Sequence, residues 1–200
     1  MIIIFIYGNE NGGMVILRVI SGEAKGHKLK TLKSNLTRPT SDKVKGSIFN
    51  IIAAIVFDSD VLDLFSGTGN LGIEALSRGA RSAVFVDKSR ECYQVINENL
   101  THTKFTDKAE VLVMDVCSAL CKLSQSGNKF DIIFLDPPYA KGLVDDTLAC
   151  IAGVDVIKPD TLIVAEHDVE DVVPEYIGTL KNFRQQKYGD TIISFYRQEV

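Results

Sequence analysis

The stretch Val61-Leu62-Asp63-Leu64-Phe65-Ser66-Gly67-Thr68-Gly69-Asn70-Leu71-Gly72 limits the possible folds of this chain more than any other. Val61–Phe65 is a mostly apolar run and predicts a buried strand. A glycine-rich loop follows, and Ile73–Arg78 predicts a short helix stopped by Gly79. Strand, glycine turn and helix form the first unit of a doubly wound α/β sheet, which binds ligands at the carboxyl ends of its strands. Gly67 and Gly69 admit backbone dihedrals closed to other residues and let a ligand approach the main chain. A nucleotide-like ligand is expected there.

The rest of the chain extends this unit. Ala83–Val86 predicts a second strand, followed by a helix of about 15 residues from Ser89, with Tyr93, Ile96 and Leu100 inward. Further strands are expected at Val111–Asp115, Phe130–Asp136 and Leu162–Glu166. Phe183–Tyr188, a Gly189-Asp190 turn and Thr191–Tyr196 predict a terminal antiparallel hairpin. Together these make a seven-stranded, mostly parallel sheet closed by antiparallel strands. Upstream, Thr37–Asp42 holds a proline stop and N-cap residues. Ile48, Ile51, Ile52 and Ile55 then fall at helical spacing. Gly46 within that helix costs about 1 kcal/mol relative to alanine. Residues 15–33 alternate apolar and polar positions with Gly22 and Gly26 as turn points and predict a small hairpin or β-arm, within a basic N-terminal arm over 14–40 and ahead of a main domain over 41–200. Residues 1–13, ending in Gly12-Gly13 before Met14, are expected to be a non-native or disordered extension.

The chain has 200 residues, 46% of them apolar and 24% charged, enough for one sizeable core. Cys92, Cys117, Cys121 and Cys150 include no Cys-x-x-Cys pair, and His27, His102 and His167 are scattered. Free thiols, no metal and a reducing, cytoplasmic setting are expected. Met1–Tyr7 is apolar but too short to span a bilayer. The net charge of −4 hides an asymmetry: residues 14–46 hold eight Lys or Arg against Glu23 and Asp42, or +6, leaving −10 elsewhere. A basic arm on an acidic body is a footprint of nucleic-acid binding.

The glycines alone leave the ligand open, because Gly67-x-Gly69-x-x-Gly72 also fits a dinucleotide fingerprint. Asp87, 20 residues beyond Gly67, suits a ribose diol in either case. Asp63 discriminates: a carboxylate repels a pyrophosphate but suits a cationic end such as that of S-adenosylmethionine (SAM). Four predicted strands end in acids, Asp63, Asp87, Asp115 and Asp136, all on the edge where the crevice forms. That much negative charge favours the sulfonium compound.

Asp136-Pro137-Pro138-Tyr139 suits an amine substrate. The prolines fix φ and remove two amide donors, leaving carbonyl acceptors beside a carboxylate. Acceptors without donors fit an exocyclic NH2, and Tyr139 offers a surface on which a base can stack. Hydrogen bonds from both amine protons stabilise the positive charge that grows as nitrogen attacks a methyl group.

Asp63-x-x-x-Gly67-x-Gly69 with Asp-Pro-Pro-Tyr resembles the SAM-dependent amino-methyltransferases. Arg18–Gly26, Arg38-Pro-Thr-Ser-Asp-Lys-Val44, Leu62–Gly69, Gly72–Ala80, Asp136–Leu143, Tyr188–Thr191 and Phe195-Tyr-Arg197 narrow the resemblance to the RsmD family. These are bacterial 16S rRNA guanine-N2 methyltransferases. Gly46 departs from that pattern, where glutamate is expected. The resemblance implies a Rossmann-like class I SAM-dependent methyltransferase fold. It implies that Asp63 and the Ser66, Gly67, Thr68 and Gly69 backbone hold the methionine end of SAM. Asp87 with Lys88 would take the ribose, and Asp115 with Val116 the adenine. Asp136, Pro137, Pro138 and Tyr139 would grip the guanine N2. Arg18, Lys25, Lys28, Arg38, Lys43, Lys45 and Lys141 would meet phosphates of 16S rRNA or the 30S subunit. The resemblance says little of the oligomeric state, for which a monomer is expected. A DNA adenine-N6 or cytosine-N4 methyltransferase shares Asp-Pro-Pro-Tyr, but 200 residues leave no room for a target-recognition domain. A nicotinamide-dependent oxidoreductase or non-catalytic nucleotide module leaves Asp63 and Asp136–Tyr139 idle.

Overall fold

Apolar runs ending in acids become strands, and the amphipathic stretches between them become helices. The computed structural model describes residues 7–8, 14–15, 17–32, 42–138 and 142–199. In chain order the first elements are β1 (Tyr7–Gly8), β2 (Met14–Val15), α1 (Asp42–Ile51), α2 (Ala53–Val56), β3 (Asp60–Leu64) and α3 (Asn70–Ser77). Next come β4 (Ser82–Asp87), α4 (Arg90–Thr103), β5 (Ala109–Val113), α5 (Val116–Gln125), β6 (Phe130–Leu135) and α6 (Leu143–Ala152). The last four are β7 (Ile157–Asp168), β8 (Tyr176–Ile177), β9 (Leu180–Tyr188) and β10 (Thr191–Gln198).

The main sheet has eight strands in the order β5-β4-β3-β6-β7-β10-β9-β8. β5, β4, β3, β6 and β7 run parallel, and β10, β9 and β8 are antiparallel to their neighbours. The expected count of seven is one short, because β8 is a two-residue pairing with Leu180–Lys181 and carries no periodic signal. Strand order reverses at β3, with β4 on one side and β6 on the other. The crevice of such sheets opens at that switch point.

Both faces of the sheet are buried, each by its own apolar cluster. Val61, Phe85, Ile132 and Phe134 point toward α1, α3 and α4, whereas Leu62, Val84, Ile133 and Leu135 point toward α5 and α6. α4 starts on Ser89, whose hydroxyl accepts the Glu91 and Cys92 amide hydrogens. Its inner residues are Cys92, Ile96, Asn99 and Leu100, and the expected Tyr93 is instead 42% exposed. The helix predicted from Val44 breaks at Ile52 into α1 and α2 and turns Ile55 outward. No atom stands within 4 Å of where a Gly46 Cβ would lie, so packing does not demand glycine there.

The arm folds back on itself as a short hairpin: Arg18 bridges Lys28 antiparallel, with the Val19 amide donating to the His27 carbonyl at 3.0 Å and the Leu29 amide to the Leu17 carbonyl at 2.8 Å. Before it, β1 pairs antiparallel with β2. Leu17, Val19, Ala24, Leu29 and Leu32 are buried in the cluster on the α1 face. Gly22 adopts φ +83°, and a Cβ there would fall 1.7 Å from the Ser77 carbonyl oxygen. Only glycine lets the arm lie this close to α3. Glu74 of α3 accepts the Ile20 and Ser21 amide hydrogens at 2.7 and 3.0 Å.

The expectation of four free thiols is corrected. Cys117 of α5 and Cys150 of α6, 33 residues apart, form a disulfide, while Cys92 (buried) and Cys121 (exposed) are free. Chain separation hid the contact. Among the described residues no helix is long and apolar enough to cross a membrane.

Candidate active site

β3 carries Asp63 to the switch point as its penultimate residue, 2% exposed, between Phe85 of β4 and Phe134 of β6. Its Oδ2 accepts the Gly72 amide hydrogen at 2.9 Å. Burial pushes the Asp63 carboxyl well above the ordinary carboxylate range; the Gly72 bond opposes this, and Asp136 and Asp87 add to it. The group is therefore set for a positive partner, which would restore its charge.

Between β3 and α3 the main chain turns tightly. Phe65 has φ 57°, left-handed for a bulky non-glycine residue, followed by Gly67 at 54° and Gly69 at 77°. Strain of this kind concentrates at ligand sites. Sequence patterns did not single out Phe65, because strain depends on a whole loop rather than a residue type. Ser66 locks the turn to β4, its amide donating to the Val86 carbonyl while its Oγ accepts the Val86 amide hydrogen at 2.9 Å. Gly69 caps α3 without a side-chain hydrogen bond, and of the first-turn amides that of Gly72 is taken up by Asp63.

The other strand-end acids take distinct positions. Asp87 accepts the Gly67 amide hydrogen at 3.0 Å through Oδ2 and the Ser89 amide hydrogen at 2.9 Å through Oδ1. Asp115 caps α5, its Oδ1 accepting from Cys117 and Ser118 at 3.0 and 3.3 Å. Asp136 follows β6, whose Leu135 lies beside Leu64 of β3.

These groups wall a cleft of about 610 Å³ that brings together Asp63, Ser66, Gly67, Thr68, Asp87, Lys88, Asp115, Val116, Asp136, Pro137 and Pro138. Gly69 stands behind that wall, where a Cβ would press on Ile73 and Phe85. The cleft also recruits residues that sequence reasoning missed: Leu17, Thr31 and Leu32 from the arm, Asn70 and Met114, and Asp146 and Thr147 from α6. Nothing local marks them; the tertiary fold brings them in.

The basic residues divide. Lys25, Lys28 and Lys43 are exposed. Arg18 is exposed but paired with Asp42 at 2.9 Å, and Lys30 is paired with Glu98 at 2.5 Å. Lys45 is a correction: it is wholly buried and has no surface to offer a phosphate. Its Nζ donates to the Arg18 carbonyl at 2.6 Å and to Asn70 Oδ1 at 2.7 Å, and pairs with Glu74 at 3.1 Å. Arg38, Tyr139 and Lys141 lie outside the described residues.

A family model described as Conserved hypothetical protein 95 matches residues 17–197. The Bacillus subtilis protein named "Putative rRNA methyltransferase YlbH" is 42% identical over 182 residues, 91% of this chain and 99% of that protein. The Escherichia coli K12 protein named "Ribosomal RNA small subunit methyltransferase D" is 32% identical over 191 residues, 96% of this chain and 94% of that one. Among solved structures, "Putative methyltransferase yhhF from Escherichia coli" superposes with a TM-score of 0.80 at 32% identity, covering 91% of this chain and 97% of that one.

Proposed function

The chain belongs to the RsmD family, and from that premise we propose that it transfers a methyl group from SAM to the exocyclic N2 amine of a guanine in 16S rRNA. The observation that carries the reading is a buried carboxylate, Asp63, at the switch point and one strand away from the substrate-side Asp136. The cleft fits SAM: its volume is ordinary for a small-molecule site, and its rim presents carboxylates and exposed main chain. An oxidoreductase binding a pyrophosphate cofactor would set like charges against Asp63.

When bound, SAM supplies an electrophilic methyl group. The protein supplies position and electrostatics. Asp63 holds the cationic amino end, and the Ser66–Gly69 turn encloses it closely because glycine leaves the main chain bare. Asp87 accepts from the ribose hydroxyls through lone pairs beyond those used by Gly67 and Ser89. Asp115, held by its capping bonds, and Val116 face the adenine at the end of β5.

On the substrate side, the Asp136 carboxylate and the Pro137 carbonyl accept the two amine hydrogens. This draws the nitrogen lone pair out of conjugation and stabilises the charge that builds there. Holding amine and methyl in line provides most of the acceleration. After transfer the nitrogen loses its proton to Asp136 or water. A base in a ribosomal loop is already open or easily splayed, so little unstacking is needed.

The test is transfer of labelled methyl to 30S particles from a strain lacking the enzyme, with the modified nucleotide mapped. Asp136→Ala is expected to abolish transfer while SAM binding persists. Transfer to duplex DNA but not to 30S particles would overturn the reading.

A further inference from the structure

β9 carries one residue more than its partner needs. Phe195 of β10 faces Arg184 and Tyr196 faces Asn182, so Phe183 between them has no cross-strand partner. A bulge re-aims the side chain that alternation would send to the opposite face. The Phe183 ring lies 6.4 Å from that of Phe195, the Arg197 guanidinium stands 4.9 Å from the Phe183 ring centre, and that of Arg184 stands 5.8 Å from the Phe195 ring centre. Phe195 is fully buried in the cluster that contains Ile48 and Phe49 of α1 and Leu17 and Val19 of the arm. The bulge thus gathers one ring and two guanidinium groups on the sheet face that also carries the arm.

Core packing does not account for this arrangement. Phe183 is 42% exposed, and Arg184 and Arg197 are exposed. Among the described residues neither arginine lies within ion-pair distance of a carboxylate, unlike Arg18 and Lys30 of the arm. β9 reads Leu-Lys-Asn-Phe-Arg-Gln-Gln-Lys-Tyr, with three cations and no acid; Lys181 pairs with Glu199 at 2.6 Å, and Arg184 and Lys187 form no ion pair among the described residues. Tyr188 at its end hydrogen-bonds Ser47 of α1, the helix that exposes Lys43. Guanidinium groups outside any close ion pair, beside an exposed ring, match a polyanion with stackable bases.

We propose that Phe183, Arg184 and Arg197 form a second RNA-contact surface, on the same sheet face as the basic arm, that grips a single-stranded segment of the substrate rRNA. It rests on the rRNA reading above. The arginines neutralise phosphates, and an unpaired base stacks on Phe183 or on the Arg197 guanidinium above it.

The test measures binding of a loop-containing 16S rRNA fragment across a salt series, with S-adenosylhomocysteine binding as a control for the cleft. Phe183→Ala is expected to weaken RNA binding about fivefold or more. Joint Arg184→Gln and Arg197→Gln should lower the slope of log affinity against log salt by about 1.4, the single-strand value for two lost phosphate contacts. S-adenosylhomocysteine binding should stay at the wild-type level in both variants. Wild-type RNA affinity and salt slope in the folded variants would overturn the proposal. Wild-type enzyme that methylates no 30S particle would instead sink the proposed function, a result read independently of the variants.

Discussion

Lys45 Nζ stands 3.1 Å from Glu74 Oε2, with both side chains wholly out of water. Glu74 also accepts the Ile20 and Ser21 amide hydrogens and pairs with Arg78 at 2.8 Å. One carboxylate therefore joins α1, α3 and the arm. Burial lowers the Lys45 pKa, and Glu74 opposes the fall. Breaking such a pair from one side is costly, since the remaining charge stays buried.

Lys45→Ala is accordingly expected to cost about 3 kcal/mol of stability, with Arg78 moderating the loss. Urea denaturation reads the change. The salt dependence of RNA binding should not move in the folded fraction, because Lys45 meets no solvent. A shallower salt slope would return Lys45 to the RNA surface.

Asp63→Asn should stabilise the ligand-free protein at neutral pH while removing SAM binding. In the folded chain the Asp63 carboxyl keeps its proton to a higher pH than in the unfolded chain. Above the ordinary carboxylate pKa of about 4 the folded state therefore binds more protons, and stability falls as pH rises. Urea midpoints between pH 4 and 7 should decline less steeply in the variant. Identical slopes would show that the buried carboxyl ionises without penalty.

Gly72→Ala places a Cβ 2.3 Å from Phe85 Cε1, and Phe85 is a fully buried ring. The helix must shift away from β3, lengthening the Gly72–Asp63 bond. We expect a loss of about 1–3 kcal/mol together with weaker SAM binding. Denaturation and calorimetric titration on the same sample check both parts.

Asn99 joins the arm to the ligand loop. Its Oδ1 accepts the Lys30 amide hydrogen at 2.7 Å, and its Nδ2 donates to the Lys30 carbonyl at 3.1 Å and the Thr68 carbonyl at 2.9 Å. Asn99→Asp keeps the acceptor and loses both donors. It should loosen residues 25–32, seen as faster tryptic cleavage at Lys25 and Lys28, and raise the KM for SAM more than it lowers kcat. Unaltered cleavage and KM would show that these bonds do not couple the arm to the loop.

Much of this molecule is local, and the local part was legible. β3, its glycine turn, α3 and the acids closing β3, β4 and β6 follow from apolar runs and turn residues, whose signals span only a few positions. What escaped depends on partners distant in sequence. Lys45 looks like one more cation of a basic arm until Glu74, 29 residues on, is folded against it. Cys117 and Cys150 meet only when α5 packs on α6. The bulge at Phe183 exists only in register with Phe195. By itself the sequence determined the order of strands and helices and the acids along one rim, because backbone propensity and side-chain period act over a turn or a strand. Tertiary structure decided which charges meet water, because burial is a property of the neighbours a side chain acquires.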